Sequence, residues 1–192
     1  MPSSALTWLG VPGDIQAWTA LGFAVDDGAI RIGQVCCVPT DACTWGFDEI
    51  HADPAILGVP TVVRPAATGA VHACGVTHVD HVVYTVRDLD TAITGLTAVL
   101  GTAPRRRFHP RGPNGPEMAF YRTGEAFIEM VATGAEPALI GLALWTPDLD
   151  ATVTAIRASG GPVGDPKPAV QGGRIATVWQ GHLDWGLAMM GP

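Results

Sequence analysis

Two stretches of the chain decide its fold: Asp80–Asp90, DHVVYTVRDLD, and Leu139–Asp150, LIGLALWTPDLD. Each is an apolar run typical of a β-strand, and each ends in Asp-Leu-Asp before a segment with helical periodicity. The first Asp of each triplet, Asp88 or Asp148, stands where a helix N-cap accepts a hydrogen bond from a free backbone amide. One strand–helix unit that recurs after about sixty residues predicts an internal repeat.

Each helix is followed by further strand candidates that turn-forming residues separate. The second unit of the chain, residues 76–133, and the third, residues 139–190, each carry three such candidates, so that both have the order βαβββ. In the third unit the first candidate contains Pro166 and Pro168. Because proline cannot donate to a strand ladder, this strand is expected at a sheet edge.

The first part of the chain contains a shorter and less regular version of the same unit. A strand is predicted at Leu6–Val11, a brief helix ends at Gly22, and short strand candidates follow. Residues 51–75 are rich in Pro, Ala, Gly and Val without helical periodicity, which indicates a connector. We therefore expect a degenerate N-terminal unit with its connector at residues 1–75 and a paired domain at residues 76–192.

The composition argues against several classes of partner. Of the 192 residues, 47% are hydrophobic and 15% are charged, with a formal net charge of −7. An acidic chain without a dense Lys/Arg face is not expected to bind nucleic acid. No apolar run is long enough to span a membrane. One short basic cluster either borders a pocket or is simply solvated: Arg105, Arg106, Arg107 and Arg111.

The cysteines and the N-terminus favour a cytoplasmic protein. The four cysteines include no CxxC pair in a chain of this size, which predicts reduced thiols at Cys36, Cys37, Cys43 and Cys74. The N-terminus has no basic segment followed by a long apolar run, so a signal peptide is not expected.

Tandem units of this order resemble the vicinal oxygen chelate superfamily, which includes glyoxalase I, bleomycin-resistance proteins, methylmalonyl-CoA epimerase and extradiol dioxygenases. The resemblance is carried by DHVVYTVRDLD at Asp80–Asp90, GEAFIEMV at Gly124–Val131 and IGLALWTPDLD at Ile140–Asp150. It implies an α+β fold in which tandem βαβββ units form a half-open curled sheet that cups a metal and a substrate. Because an odd number of copies leaves one without a partner in the chain, the degenerate N-terminal unit is expected to pack across the back of this sheet, or against a second chain in a homodimer.

The resemblance also implies a pair of site residues. Family enzymes usually place a His on the first strand and a Glu on the last strand of each unit, and the matching positions in the second unit are His81 and Glu129. In the third unit these positions hold Gly141 and Ala188, so half of the expected ligand set is missing. His81 and Glu129 are therefore candidate ligands of Fe, Mn, Ni or Zn, with the substrate or other groups completing the shell.

The residues themselves leave alternatives open for this pair. Strand alternation places His81 on the same face as Val79 and Val83. By the same rule Glu129 shares a face with Phe127. Without a metal, the two side chains would hydrogen-bond each other and stabilise the sheet, or Glu129 would act as a catalytic general base.

Other side chains are weaker candidates. Three aromatic residues are candidate substrate contacts, each with a plainer interpretation as sheet, core or dimer-interface packing: Tyr84, Tyr121 and Trp145. Four potential metal ligands lie close together in the sequence: His72, Cys74, His78 and His81. The first two fall in the connector, and odd spacing on one strand directs His78 and His81 to opposite faces, so no shared site is expected.

Two functions fit these features. The first is a small-molecule enzyme similar to the glyoxalases and dioxygenases, in which His81 and Glu129 hold a metal or move a proton beside a substrate oxygen. The second is a metal-free protein that binds a hydrophobic or aromatic compound, as the similar bleomycin-resistance proteins do. The missing ligands at Gly141 and Ala188 favour the second function, and the polar pair favours the first.

Overall fold

The computed structural model describes residues 4–170 and 172–192, and within them thirteen β-strands and three α-helices form. The N-terminal strands are β1 (Leu6–Val11), β2 (Ile30–Ile32), β3 (Val35–Pro39), β4 (Thr44–Phe47) and β5 (Thr61–Val63). The others are β6 (His78–Val86), β7 (Arg106–Phe108), β8 (Met118–Thr123), β9 (Ala126–Ala132), β10 (Ala138–Trp145), β11 (Lys167–Pro168), β12 (Arg174–Thr177) and β13 (Gly186–Gly191). The helices are α1 (Ile15–Ala20), α2 (Leu89–Leu100) and α3 (Leu149–Ala158), and short 3₁₀ turns lie at Pro54–Leu57 and Gln180–His182.

Strands β6 to β13 form an eight-stranded sheet in the order β11-β12-β13-β10-β6-β9-β8-β7. The first strands of the two units, β6 and β10, pair antiparallel at its centre. Each lies parallel to the last strand of its own unit, β9 or β13, and the remaining strands follow outward in matching order. The two halves are copies of one βαβββ unit, so the predicted tandem repeat and curled, unclosed sheet are confirmed.

The helix boundaries follow the local chemistry that the sequence predicts. The side chain of Asp88 accepts a hydrogen bond of 2.8 Å from the amide of Thr91, and Asp148 accepts one of 2.9 Å from Ala151. Helix α2 ends at Gly101, which has a φ of 66°, a conformation that glycine adopts without steric cost. These caps fix where each helix leaves the central pair of strands.

Strands β1 to β5 form a second sheet in the order β2-β3-β1-β4-β5. As in the later units, a strand that follows the helix, β3, lies parallel to the first strand, β1, and β2 pairs antiparallel outside it. Among the described residues, this first unit lacks a further outer strand, which makes it the degenerate copy. The other edge of β1 pairs antiparallel with β4. In the larger sheet, the corresponding edge of β6 pairs antiparallel with β10, the first strand of the neighbouring unit.

The smaller sheet packs on the face of the larger sheet that also carries α2 and α3. Apolar side chains of both sheets belong to one continuous core. Within it, the ring centroids of Trp45 and Tyr84 lie 4.8 Å apart, and the hydroxyl of Tyr84 donates to the Leu57 carbonyl over 2.6 Å. The first unit therefore covers the back of the paired sheet, and the concave face stays open. A domain boundary between residues 75 and 76 remains a prediction.

No helix in the described ranges is long and apolar enough to cross a membrane.

Candidate functional site

The concave face of the eight-stranded sheet forms a groove around the centre of β6 and β9. It contains two depressions of about 310 and 240 Å³, whose linings share His81, Glu129 and Met190. Residues of the outermost strands also line it, Arg106 from β7 and Lys167 from β11, because the sheet curls its two edges towards each other. Large apolar side chains supply most of the walls: Met118, Phe120, Phe127, Trp145 and Met190.

A β-bulge in β6 determines how His81 is presented. The register skips Asp80, because consecutive residues of β10 pair with Val79 and with His81. Asp80 and His81 consequently both line the groove, whereas Val79 is fully buried in the core. The expectation that Val79 shares a face with His81 is therefore wrong. Val83 does lie on the groove side, where it packs against a small apolar cluster.

His81 is held between two carboxylates. Its Nδ1 lies 2.7 Å from Oδ2 of Asp80, and since an ionised carboxylate only accepts, Nδ1 donates this bond. Nε2 therefore points towards Glu129, whose Oε2 is 3.8 Å away. This distance is longer than a hydrogen bond. The side chains of His81 and Glu129 are 20% and 15% exposed, so both are partly shielded and still reachable from the groove.

The donor atoms present do not suit a metal ion. In the described ranges, no group of three or more His, Cys, Asp or Glu side chains is arranged to hold one. Nδ1 of His81 is already bonded to Asp80. The matching positions of the third unit, Gly141 and Ala188, carry no side-chain donor atom. What remains is one ring nitrogen and the Glu129 carboxylate, fewer than the protein ligands of usual catalytic metal sites.

The structure does not bring Tyr84 or Tyr121 to the groove, which corrects their assignment as substrate contacts. Both are buried on the opposite face of the sheet. The hydroxyl of Tyr121 lies 2.8 Å from Oγ1 of Thr97 and 3.1 Å from the Ile93 carbonyl, which ties β8 to α2. Burial raises the pKa of Tyr84 to about 12 and raises the pKa of Tyr121 as well, so neither phenol serves as an acid near neutral pH.

Among the tryptophans of the third unit, Trp145 alone lines the groove within the described residues. Trp185 is buried and donates its indole N–H to the Leu139 carbonyl over 3.2 Å. Trp179 is 68% exposed. The placement of Trp145 is consistent with its predicted contact to substrate, and that role stays a prediction.

Two other histidines are separated from the groove. His72 is buried, where its Nδ1 accepts from the Ala24 amide over 3.1 Å and its Nε2 donates to the Arg31 carbonyl over 3.1 Å. Nε2 of His182 lies 2.9 Å from the Ala17 carbonyl in α1. Neither imidazole shares a site with His81.

Four charged groove residues went unrecognised in the sequence or were left undecided. Asp80 reaches the groove only through the bulge, and a bulge depends on strand pairing that no local pattern displays. Lys167 lies on a two-residue edge strand, and its position depends on the curl of the whole sheet. Arg106 and Arg111 belong to the basic cluster that the sequence left open between a pocket border and a solvated surface, and they border the pocket.

A curled sheet of two βαβββ units around a partly buried polar pair is typical of proteins that bind or convert small molecules. A family model described as the Glyoxalase/Bleomycin resistance protein/Dioxygenase superfamily matches residues 80–177, just over half of the chain. The chain belongs to this superfamily. A comparison with curated protein sequences found no match.

Solved structures show the same fold. Methylmalonyl-CoA epimerase from Mycobacterium tuberculosis is 22% identical, with a TM-score of 0.52 over 62% of this chain and 89% of its own. A hypothetical protein from Bacillus halodurans is 13% identical, with a TM-score of 0.51 over 59% of this chain and 93% of its own. A Streptomyces coelicolor methylmalonyl-CoA epimerase, in complex with 2-nitronate-propionyl-CoA, is 18% identical with a TM-score of 0.49 over 60% of this chain and 97% of its own. For the first two structures, whose TM-scores exceed 0.5, identities this low establish similarity of fold alone.

Proposed function

We propose that this protein is an acid–base enzyme that moves a proton at a carbon atom next to a carbonyl group of a small molecule bound in the groove. One observation carries the proposal: Nε2 of His81 and Oε2 of Glu129 face each other across 3.8 Å on the groove lining, and Asp80 holds the far side of the imidazole. A substrate atom positioned above the pair would lie within reach of both groups.

The roles follow from the chemistry of the two side chains. Glu129, as a carboxylate, accepts the proton when the C–H bond breaks, and the electron pair moves onto the carbonyl oxygen. Protonated His81 donates its Nε2 proton to that oxygen, where negative charge develops. Asp80 accepts from Nδ1 and keeps the imidazole in the orientation that this transfer needs. Reversal of the two transfers returns the proton to carbon.

Proton exchange with solvent tests this function before the natural substrate is known. Carbonyl compounds with an acidic C–H bond are incubated in D₂O with EDTA, and loss of the proton signal is followed by NMR. The panel contains 2-oxo acids, hydroxyketones and acyl thioesters, the last because methylmalonyl-CoA epimerases have a similar fold. We expect exchange on at least one compound, and a loss of about 10²- to 10⁴-fold in Glu129→Gln.

Glu136→Gln serves as the matched control, because Glu136 is an exposed carboxylate whose partner, Arg87, also lies outside the groove. This variant should exchange at the wild-type rate. Exchange that survives Glu129→Gln would contradict the proposal. Exchange that stops in EDTA and returns with added Mn or Zn would instead support His81 and Glu129 as metal ligands.

A metal-free binding protein is the second candidate. The observation that favours it is that Trp145 and Met190 of the third unit give the groove apolar surface. The third-unit positions that match His81 and Glu129 hold Gly141 and Ala188, which have no functional side chain. The same experiment separates the candidates, since a compound that binds in the groove and never exchanges its proton fits a binding protein.

A further inference from the structure

The positive charge of the groove contrasts with the charge of the whole chain. Three cations line it, Arg106, Arg111 and Lys167, against two carboxylates, Asp80 and Glu129. The chain as a whole has a formal net charge of −7. The local excess of positive charge is therefore concentrated on the one concave surface that also holds the candidate reacting pair.

The three groove cations also differ from most others in their partners. Five arginines outside the groove form ion pairs with carboxylates: Arg31, Arg87, Arg107, Arg157 and Arg174. Arg107 shows the contrast best, because it is the sequence neighbour of Arg106. It points to the other side of β7 and binds both Asp90 and Glu117. Within residues 4–170 and 172–192, Arg106, Arg111 and Lys167 have no such partner.

The cations stand at the two ends of the curled sheet. Arg106 lies on β7 and Arg111 on the following loop, whereas Lys167 lies on β11 at the opposite edge. Arg111 and Lys167 nevertheless line the same depression as His81 and Glu129. An anionic group bound between them would therefore lie beside the reacting pair. Apolar surface for the rest of such a molecule comes from Phe120, Phe127 and Trp145.

We propose that the groove binds a small organic anion, whose carboxylate, phosphate or sulfonate group is held by Arg111 and Lys167 and whose apolar body lies against the aromatic wall beside Arg106. This inference rests on the proposed function for the identity of the groove as the active site. It assigns the substrate class: an anionic carbonyl compound with an apolar or aromatic body. Guanidinium groups suit such oxyanions because their donors form paired hydrogen bonds.

Two fluorescent compounds that share one ring system test the inference. Anilinonaphthalene sulfonate is anionic, and phenylnaphthylamine is its uncharged counterpart. The wild-type protein should bind the sulfonate more tightly than the uncharged compound, and added salt should weaken only the sulfonate. In the double variant Arg111→Gln/Lys167→Gln we expect the Kd of the sulfonate to rise about tenfold, with the Kd of the uncharged compound unchanged.

Two further variants locate the binding and control for charge. Arg87→Gln/Arg157→Gln makes the same change of charge at two residues paired with Glu136 and Asp165 outside the groove, and it should leave both Kd values unchanged. Trp145→Ala should weaken both compounds. Sulfonate binding that survives Trp145→Ala and the double variant would lie elsewhere on the protein and would overturn the inference.

Equal affinity for the two compounds, or no binding of either, would also overturn it. Neither compound has an acidic C–H bond next to a carbonyl group, so the result does not depend on catalysis. A protein that binds the sulfonate as expected but exchanges no proton keeps the anion site and loses the acid–base function. A protein that exchanges protons but does not prefer the anion keeps the function and loses the anion site.

Discussion

The imidazole of His72 joins the connector to the first unit through two backbone hydrogen bonds. The Ala24 amide can only donate and the Arg31 carbonyl can only accept, so Nδ1 is unprotonated and Nε2 carries the proton. Burial lowers the pKa of His72, and its bond to the Arg31 carbonyl partly offsets that effect. A second proton on the ring would leave the Ala24 amide facing another donor.

The stability of the protein should consequently depend on pH through His72. Because its pKa is lower in the folded state, the unfolded chain takes up the proton first. The full free energy of unfolding is present above about pH 6.5, the pKa of histidine in the unfolded chain. As the pH falls below this value, the free energy of unfolding decreases by at most about 1.4 kcal/mol per pH unit. Urea unfolding at a series of pH values should show this slope in wild type and a flatter slope in His72→Gln. The exposed His109 provides the control, since His109→Gln should retain the wild-type slope.

At the level of single residues, the sequence predicted which polar pair lies in the groove better than it predicted the residues around that pair. The resemblance singled out His81 and Glu129, and the structure brings them together. Tyr84 could have been excluded in advance, because it lies three positions after His81 and odd spacing on a strand changes the face. Tyr121 could not, because its direction depends on the pairing of Phe120 with Glu129, which only the register shows. The residues that surround His81 and Glu129 in the groove are determined by long-range strand pairing, which sequence periodicity does not encode.

At the level of elements, the two buried tyrosines act as ties between layers. Tyr84 joins β6 to the 3₁₀ turn through the Leu57 carbonyl, and Tyr121 joins β8 to α2. We expect Tyr84→Phe and Tyr121→Phe each to lower the free energy of unfolding by about 1–2 kcal/mol, because a buried carbonyl loses its donor. Neither change should alter the affinity of anilinonaphthalene sulfonate.

Phe120 gives the converse control for this prediction, because its side chain lines the groove. Phe120→Leu should weaken binding of the sulfonate. A Tyr84→Phe or Tyr121→Phe variant that loses affinity at unchanged stability would restore the tyrosines as substrate contacts. Thermal or urea unfolding, recorded beside fluorescence titrations of the same preparations, distinguishes these results.

The elements differ in how far local chemistry determines them. Helices α2 and α3 were predictable because Asp88 and Asp148 supply caps in front of an apolar stripe. The edge position of β11 was predictable from its prolines, and the structure places it at the end of the sheet. The register of β6 was not, because the extra residue at Asp80 depends on β10, some sixty residues later in the chain. Features that local residues determine could therefore be predicted from the sequence, and features that depend on pairing with a distant strand could not.

On the scale of the whole molecule, the first unit completes the core of the paired sheet. Its own strand edge is covered within the chain, because β4 pairs with β1. The sequence suggested a homodimer because the first unit had no partner within the chain. The pairing of β4 with β1 removes that argument. The homodimer remains a prediction that light scattering tests, since a mass of one chain, 20.0 kDa, would contradict it.

The shared core makes a specific prediction about the two parts of the chain. Residues 76–192 alone would expose the apolar back of the sheet, where Tyr84 now packs against Trp45, and would lose the polar contacts of Glu125 with Gln34 and of His182 with Ala17. Exposed apolar surface of that kind causes aggregation. We expect this fragment to aggregate when expressed alone and to become soluble when coexpressed with residues 1–75. The complex should bind anilinonaphthalene sulfonate with the affinity of the intact chain, because the groove lies on the opposite face. A fragment of residues 76–192 that is soluble and unfolds cooperatively by itself would instead establish residue 75 as the end of a separable domain, with the first unit dispensable for the site.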